Sequence, residues 1–178
     1  DMSNPTVTRV QVDWRLQEAR IDSIVDVRPD QGGWANLWFT SSGYDIRGHT
    51  ITGYNVYRRV DDKALAARVR AAKAMQAPGA PVEGVTCPTG AEVGLDGVAY
   101  VVNDAADKEA PPGVWSVVSS FWPTYQDRYV VTVPTVADDG PEGPAFTCYY
   151  VLAIQGSTAS FFASAPDSSR RLARAAPN

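Results

Sequence analysis

The sequence predicts a mainly β protein, an antiparallel sandwich of short strands that is interrupted once by a helix. Segments in which apolar and polar residues alternate recur along the chain, and this period of two is typical of half-buried strands. Clusters of Gly, Pro, Asp and Ser separate these segments, notably ADDGPEGP at 137–144, and such clusters predict turns between strands. One alanine-rich stretch with helical spacing follows 60 and predicts the helix.

Length and composition limit the function classes. The chain has 178 residues, 44% of them hydrophobic, and a net charge of −4, which fits one folded domain with a core of its own. The negative charge argues against nucleic-acid binding. No segment approaches the ~18 consecutive apolar residues of a membrane span. Because the chain starts at Asp1, we expect a removed signal peptide, with a cut from a longer chain as the alternative.

The first half of the chain contains four predicted strands. Residues 1–21 form an N-terminal extension whose segment TVTRVQVDW alternates as an extra strand. A short strand follows over Ile24 to Val27, then WANLWFT, then ITGYNVYRR. In WANLWFT, Trp34 and Trp38 share one face and lie opposite Leu37 and Phe39, so we expect one of these two faces to be turned outward.

The helix is predicted over about 62–76. Asp62 is a good N-cap because its carboxylate accepts hydrogen bonds from free amides of the first turn. Leu65, Val69, Ala72 and Met75 recur at helical spacing and predict one apolar stripe that docks on the sandwich. Pro78 and Gly79 end the helix. Residues 77–112 are rich in Gly, Pro and Ala and contain small strand candidates, VEGVTC and GVAYVV.

Strand patterns resume after 112 and continue nearly to the end. The segments are VWSVVSSFW, DRYVVTVPTV, FTCYYVLAIQ and SFFASAPDS. The last eight residues, 171–178, form a basic, Ala- and Pro-rich tail.

The strand order and several residues resemble the fibronectin type III fold of bacterial exported proteins, an immunoglobulin-like sandwich. VDVRPDQGGWANLWFTSSGYD resembles strands A and B, ITGYNVYRR strand C with Tyr54 and Val56 inward, and VWSVVSSF strand C′. RYVVTVPTVAD resembles strand E, FFASAPDSS strand G, and YYVLAIQG the strand F pattern Tyr-x-Val-x-Ala. Phe39 stands where the family often has its core tryptophan, a departure from the pattern.

The resemblance implies a sandwich over 22–170 that is interrupted by an insertion over 61–112, between strands C and C′. Without the insertion, the matched segments 22–60 and 113–170 approach the ~100 residues of an immunoglobulin-like domain. The helix therefore belongs to the insertion. Inserted loops add little closure entropy and often carry function on a rigid scaffold.

The two cysteines and the few polar clusters offer little chemistry. If the chain is exported, we expect a Cys87–Cys148 disulfide, and two buried free thiols are the alternative. His49 is the only histidine and lies beside Ser41, Ser42 and Asp45, but no nucleophile elbow accompanies it. Convergence of Asp26, Asp30, Asp45 and Asp138 on calcium is a second hypothesis, with solvated acidic turns as the alternative. We expect no catalytic residues, no metal and no cofactor.

A basic cluster and an excess of tryptophans are the sharpest candidates for binding. The cluster places six of the sixteen cations within sixteen residues; they are Arg58, Arg59, Lys63, Arg68, Arg70 and Lys73. An acidic protein or anionic lipid headgroups would fit such a surface, and a solvated helix face is the alternative. For Trp34 and Trp38 the candidates are a protein interface, a carbohydrate platform, and packing under another segment.

We therefore predict a non-catalytic structural or accessory subunit. It would dock by protein–protein contacts on a larger extracytoplasmic or membrane-anchored complex, without a transmembrane segment of its own. The alternative is a carbohydrate- or cell-surface-binding module, or a spacer domain, of a secreted protein.

Overall fold

The computed structural model describes residues 18–27, 33–48, 51–76, 92–103, 110–136, 146–156 and 160–170. They form ten strands and one helix. The strands are β1 Arg20–Asp26, β2 Trp34–Thr40, β3 Ile51–Arg59, β4 Glu92–Leu95, β5 Val98–Asn103, β6 Gly113–Phe121, β7 Arg128–Pro134, β8 Phe146–Gln155, β9 Ser160–Ala163 and β10 Asp167–Arg170. The helix, α1, spans Lys63–Met75.

The strands form two antiparallel sheets. The small sheet has the order β1-β2-β7, and the large sheet has the order β10-β8-β3-β6-β5-β4, with β9 also paired to β8. β9 and β10 pair with successive halves of β8. Between them, Ser164 continues the ladder through its amide and its hydroxyl, both bonded to Val151.

The two sheets pack face to face around one apolar core, the arrangement of a β-sandwich. Leu37, Phe39 and Val133 of the small sheet meet Tyr54 and Val151 of the large sheet, and all five are fully buried. The rings of Phe39 and Tyr54 lie 5.4 Å apart across the interface. Alternation in β2 produces this core, because every second residue of a strand points to the same side.

Helix α1 covers a part of the large sheet that the small sheet does not reach. Val69 and Ala66 pack against Val93, Tyr100 and Val114 of β4, β5 and β6. Asp62 caps the helix, since its carboxylate accepts from the amides of Ala64 and Leu65 at 2.8 and 3.2 Å. The predicted helix and its N-cap are thus confirmed. The docked face differs from the predicted stripe, because Met75 is exposed and Ala66 is buried.

A hairpin extends the large sheet next to the helix. β4 and β5 are joined by Asp96 and Gly97, both at positive φ, of 52° and 76°. Two such residues make the tight turn that matches the twist of the flanking strands. The sequence predicted β5 within GVAYVV and missed β4. The predicted strands TVTRVQVDW and VEGVTC lie outside the described residues.

The opposite face of the large sheet carries a second apolar cluster. Tyr57 and Tyr150 stack with ring centroids 4.7 Å apart, and the ring of Trp115 meets that of Tyr150 edge-on at the same distance. The indole of Trp115 donates to the Pro111 carbonyl at 3.0 Å. β8 is therefore buried on both faces, which explains its long apolar run YYVLAI.

Cys148 belongs to this second cluster and is a free, buried thiol. The structure does not support the predicted Cys87–Cys148 disulfide, and Cys87 lies outside the described residues. Burial raises the pKa of the Cys148 thiol, and the nearby Arg59 charge offsets this only in part. Burial and the raised pKa both favour the protonated thiol over the reactive thiolate.

Candidate functional site

The outward face of the small sheet is the main candidate for a binding surface. Its side chains form rows across β1, β2 and β7, as the strand register shows. We call this surface the tryptophan face; it consists of Ser23, Val25, Trp34, Asn36, Trp38, Val130 and Thr132. Trp34 and Trp38 are four residues apart on β2, which separates them by about 13 Å along the strand.

The tryptophan face exposes large apolar side chains. Trp34 is 45% exposed and Trp38 is 40% exposed, and Val25 and Val130 lie open on the flanking strands. Their neighbours Leu37 and Phe39 are fully buried on the other side of β2. The predicted division of β2 is therefore confirmed, with both tryptophans on the outward side.

A polar pair lies between the two tryptophans. The hydroxyl of Thr132 on β7 donates to the side-chain carbonyl of Asn36 on β2 at 2.9 Å. This bond uses the carbonyl of the Asn36 side chain, and its amide group has two further N–H donors. The face thus combines flat apolar rings with an oriented polar group at its centre.

A charged cluster ends the tryptophan face beside Trp38. The strand β1 contains a bulge between Ile21 and Ser23, so Asp22 is an extra residue whose side chain lies on the outward side. Its carboxylate accepts from Thr40 Oγ1 at 2.9 Å, from Arg20 Nη2 at 3.1 Å and from Arg128 Nε at 3.2 Å. One carboxylate therefore links all three strands of the small sheet.

Asp22 is held in its charged form. Its side chain is only 13% exposed, and this burial alone would raise its pKa. The hydrogen bonds from Thr40 and Arg20, together with the charge of Arg128, outweigh the burial and lower the pKa below its usual 3.8. The stabilisation is therefore complete above about pH 4 and disappears as the pH falls through the lowered pKa.

We expect Asp22→Asn to lower the free energy of unfolding by about 1–2 kcal/mol at pH 7, because it removes charged hydrogen bonds whose arginine ends are exposed. Urea titrations from pH 7 to pH 2 measure this loss. The difference between the two proteins should shrink below pH 4. A constant difference down to pH 2 would show that the charge of Asp22 adds no stability.

The predicted basic cluster does not form one free surface. Arg59 pairs with Asp61 at 2.6 Å, and Arg68 pairs with Asp96 at 2.9 Å. Lys73 donates to the Val102 carbonyl at 2.9 Å and is half-buried. Lys63 and Arg70 are exposed on the helix. Most of the predicted positive charge is thus bonded within the chain.

Arg58 lies inside the sandwich instead of on the helix side. Its Nη1 group contacts the carbonyls of Pro134 and Thr135, both at 3.4 Å, and its Nε is buried without a partner among the described residues. Burial raises the pKa of the adjacent Tyr149 to about 12, against the opposing effect of the Arg58 charge. We assign Arg58 a packing position between the sheets.

The loop after β2 contains a buried carboxylate. Asp45 Oδ2 accepts from Tyr54 at 3.0 Å and from Tyr129 at 2.6 Å, while Oδ1 has no partner among the described residues. Burial, together with the charge of Asp45, raises the pKa of Tyr54; burial and the bond to Asp45 raise the pKa of Tyr129. Both hydroxyls therefore remain protonated donors.

This arrangement bears on the two chemical hypotheses. Ser41 and Ser42 are buried beside Asp45, whereas His49 lies outside the described residues. Asp26 ends β1 next to Ala35, and Asp45 follows the other end of β2, so the two carboxylates lie at opposite ends of the sandwich and do not converge on calcium. Asp30 and Asp138 lie outside the described residues. Across the described ranges, no group of three or more His, Cys, Asp or Glu side chains is placed to hold a metal ion.

The comparisons with known proteins do not assign a family. No protein-family model matches the chain, and no curated protein matches it. Within the part of the chain that the structure describes, no helix is long and apolar enough to cross a membrane.

Sequence reasoning missed the Asp22 cluster. Its members are distant in sequence, at 20–22, 40 and 128, and they meet only through the register of three strands. The bulge that turns Asp22 outward leaves no signal in the alternation of apolar residues. The only local signal was two charged residues, Arg20 and Asp22, at the start of a strand.

Proposed function

We propose that this chain is a non-catalytic accessory module that docks on a protein partner through the tryptophan face. The observation that carries the proposal is the exposure of Trp34 and Trp38 on one sheet face, about 13 Å apart along β2, with the exposed Val25 and Val130 on the flanking strands. Aromatic side chains dominate the energetic centres of protein interfaces. A rigid sheet presents them without the entropy cost of ordering a loop.

The surroundings of the tryptophans support a protein partner. Interfaces combine a centre with many aromatic residues and a polar rim, and arginine is more frequent in them than on the rest of the surface. The tryptophan face has its aromatic rings on β2, on both sides of the Asn36–Thr132 pair, and Arg20 and Arg128 with Asp22 form one border. The helix face offers less, since two of its four cations, Arg68 and Lys73, are bonded within the chain and the helix has no aromatic side chain.

We also propose that the sandwich is of the fibronectin type III kind. An immunoglobulin-like sandwich places strands A, B and E in one sheet and C, F and G in the other. The small sheet would contain strands A, B and E, which are β1, β2 and β7. The large sheet would contain strands C, F and G, which are β3, β8 and β9–β10. The strand β6, at the position of C′, pairs with β3. This strand order supports the assignment, as does the burial of Tyr149, Val151 and Ala153.

Replacement of Trp38 tests the proposed function. The tagged full-length chain is isolated from its source organism in mild detergent, and copurifying proteins are quantified. We expect Trp38→Ala to weaken partner binding by about 2 kcal/mol or more, roughly 30-fold. Trp122→Ala is the matched control, because Trp122 is 73% exposed in the loop after β6 and lies outside the tryptophan face. A wild-type chain that elutes alone, or equal binding by both variants, would contradict the proposal.

The polar pair between the tryptophans favours carbohydrate binding as a second candidate. Sugars stack on flat aromatic rings and need hydrogen-bonding groups at the ring edge, which Asn36 and Thr132 would supply. A glycan array with the wild-type chain and Asn36→Ala separates the two functions. Glycan binding by the wild type that is lost in Asn36→Ala would favour the carbohydrate module. If the wild type binds no glycan, the protein interface is the function that stands.

Two further expectations stay predictions. The first is the extracytoplasmic location, which the resemblance to exported proteins implies. The second is contact through the helix, which competes with the tryptophan face as the docking surface and for which Lys63 and Arg70 are exposed.

A further inference from the structure

The arginines that border the tryptophan face have an unusual arrangement. Arg20 and Arg128 come from the two outer strands of the small sheet and flank Thr40 of the middle strand. We call them the arginine pair. Their side chains are 69% and 61% exposed, while Asp22, which holds both, is 13% exposed. Each guanidinium group is thus bonded to the Asp22 carboxylate on one side and exposed to solvent on the other.

The arginine pair has hydrogen-bonding capacity to spare. Each guanidinium turns its Nε and Nη2 atoms toward the Asp22 carboxylate. An arginine has five N–H donors, and the Nη1 groups of both residues have no partner among the described residues. The two arginines and Asp22 together carry a net charge of +1. A second anion above the pair would therefore meet oriented donors and a positive potential.

From this geometry we propose that the arginine pair binds an acidic side chain of the partner protein. The inference rests on the proposed function and specifies the chemistry of the partner. The matching segment would place an apolar residue against Trp38 and an aspartate or glutamate between Arg20 and Arg128. Arginine forks fit carboxylates in two-point hydrogen bonds. Because Asp22 already orders both forks, binding costs little side-chain entropy.

The same features argue against an anionic membrane as the occupant. Membrane attraction grows with the number of cations near the surface, at about 1 kcal/mol for each Lys or Arg. The arginine pair offers a net charge of only +1, and the whole chain carries −4. A carboxylate at the centre of the site favours recognition of one oriented anion over attraction to a charged surface.

The test uses the partner protein that the wild-type chain captures. Its affinity is measured at 50 and 300 mM salt for the wild type, for Arg20→Gln with Arg128→Gln, and for Arg70→Gln as a control on the helix. We expect the double variant to bind about tenfold more weakly at 50 mM salt and to lose most of the salt dependence. Arg70→Gln should match the wild type. Cross-linking and mass spectrometry of the complex should place a partner Asp or Glu against residues 20 and 128.

The outcomes separate the two proposals. If Trp38→Ala abolishes partner binding while the double variant keeps the wild-type affinity and salt dependence, the acidic contact is wrong and the docking face stands. If Trp38→Ala binds like the wild type, the docking face itself is wrong. Vesicles of phosphatidylglycerol and phosphatidylcholine provide the last arm. Binding to them that is lost in the double variant, with partner binding unchanged, would overturn the proposal in favour of lipid.

Discussion

Truncation of Phe39 to alanine is expected to lower the free energy of unfolding by about 3–5 kcal/mol. Phe39 is fully buried, and its ring contacts those of Tyr54, Tyr129 and Phe121 at centroid distances of 5.3 to 6.2 Å. These rings belong to both sheets, so the cavity would lie at the interface between them. The surrounding aromatics are rigid and fill such a cavity poorly.

Phe146→Ala is the matched control for this prediction. It makes the same chemical change on β8, where Phe146 is 53% exposed, and we expect a loss of about 1 kcal/mol or less. Urea unfolding monitored by fluorescence measures both variants. Equal losses at the two positions would mean that Phe39 is not at the centre of the core, and that the sheets do not pack as described.

Removal of the Tyr129 hydroxyl is expected to cost about 2–3 kcal/mol, which is large for one oxygen atom. The hydroxyl donates to the buried Asp45 at 2.6 Å and accepts from the Thr124 amide at 2.9 Å. In Tyr129→Phe, Tyr54 would be the one side chain among the described residues that still donates to Asp45. Hydrogen bonds to charged groups contribute about 1.5–3 kcal/mol, and an unsatisfied buried group adds its desolvation cost.

Two comparisons make the Tyr129 prediction specific. Tyr125→Phe changes an exposed tyrosine in the loop before β7 and should stay within about 0.5 kcal/mol of the wild type. In an Asp45→Asn background, Tyr129→Phe should cost less, because the group that it leaves unpaired is then neutral. A double-mutant cycle measures this coupling. A coupling of zero would show that the hydroxyl does not stabilise the Asp45 carboxylate.

The fold was predictable where local patterns decide it. Alternation in WANLWFT predicted that Leu37 and Phe39 lie on one face and the tryptophans on the other, and the structure shows that the tryptophans are on the outward face. Asp62 and the alanine-rich segment predicted helix α1, because capping and helix propensity are local properties. The turn at Asp96 and Gly97 was also visible in principle, since Asp-Gly is the strongest hairpin signal between short strands.

The candidate site was predictable only in part, because much of it depends on contacts between distant segments. Arg58 shares a strand face with the inward Tyr54 and Val56, but its charge led us to count it among the surface cations. In the structure the small sheet packs over it, and its guanidinium reaches Pro134 and Thr135. Arg68 of helix α1 forms an ion pair with Asp96 in the turn between β4 and β5. No single-strand pattern contains such pairings. The same holds for the arginine pair, which depends on a bulge and on the register of three strands.

Docking through the tryptophan face is tested most directly by site-specific cross-linking in the source organism. A photo-reactive amino acid replaces Val130, which is exposed in the row of Trp38; a second chain carries it in place of Arg70 on the helix. We predict that the Val130 position cross-links to the protein that copurifies with the wild-type chain, and that the Arg70 position does not. Cross-linking at Arg70 with none at Val130 would contradict the tryptophan face as the docking surface.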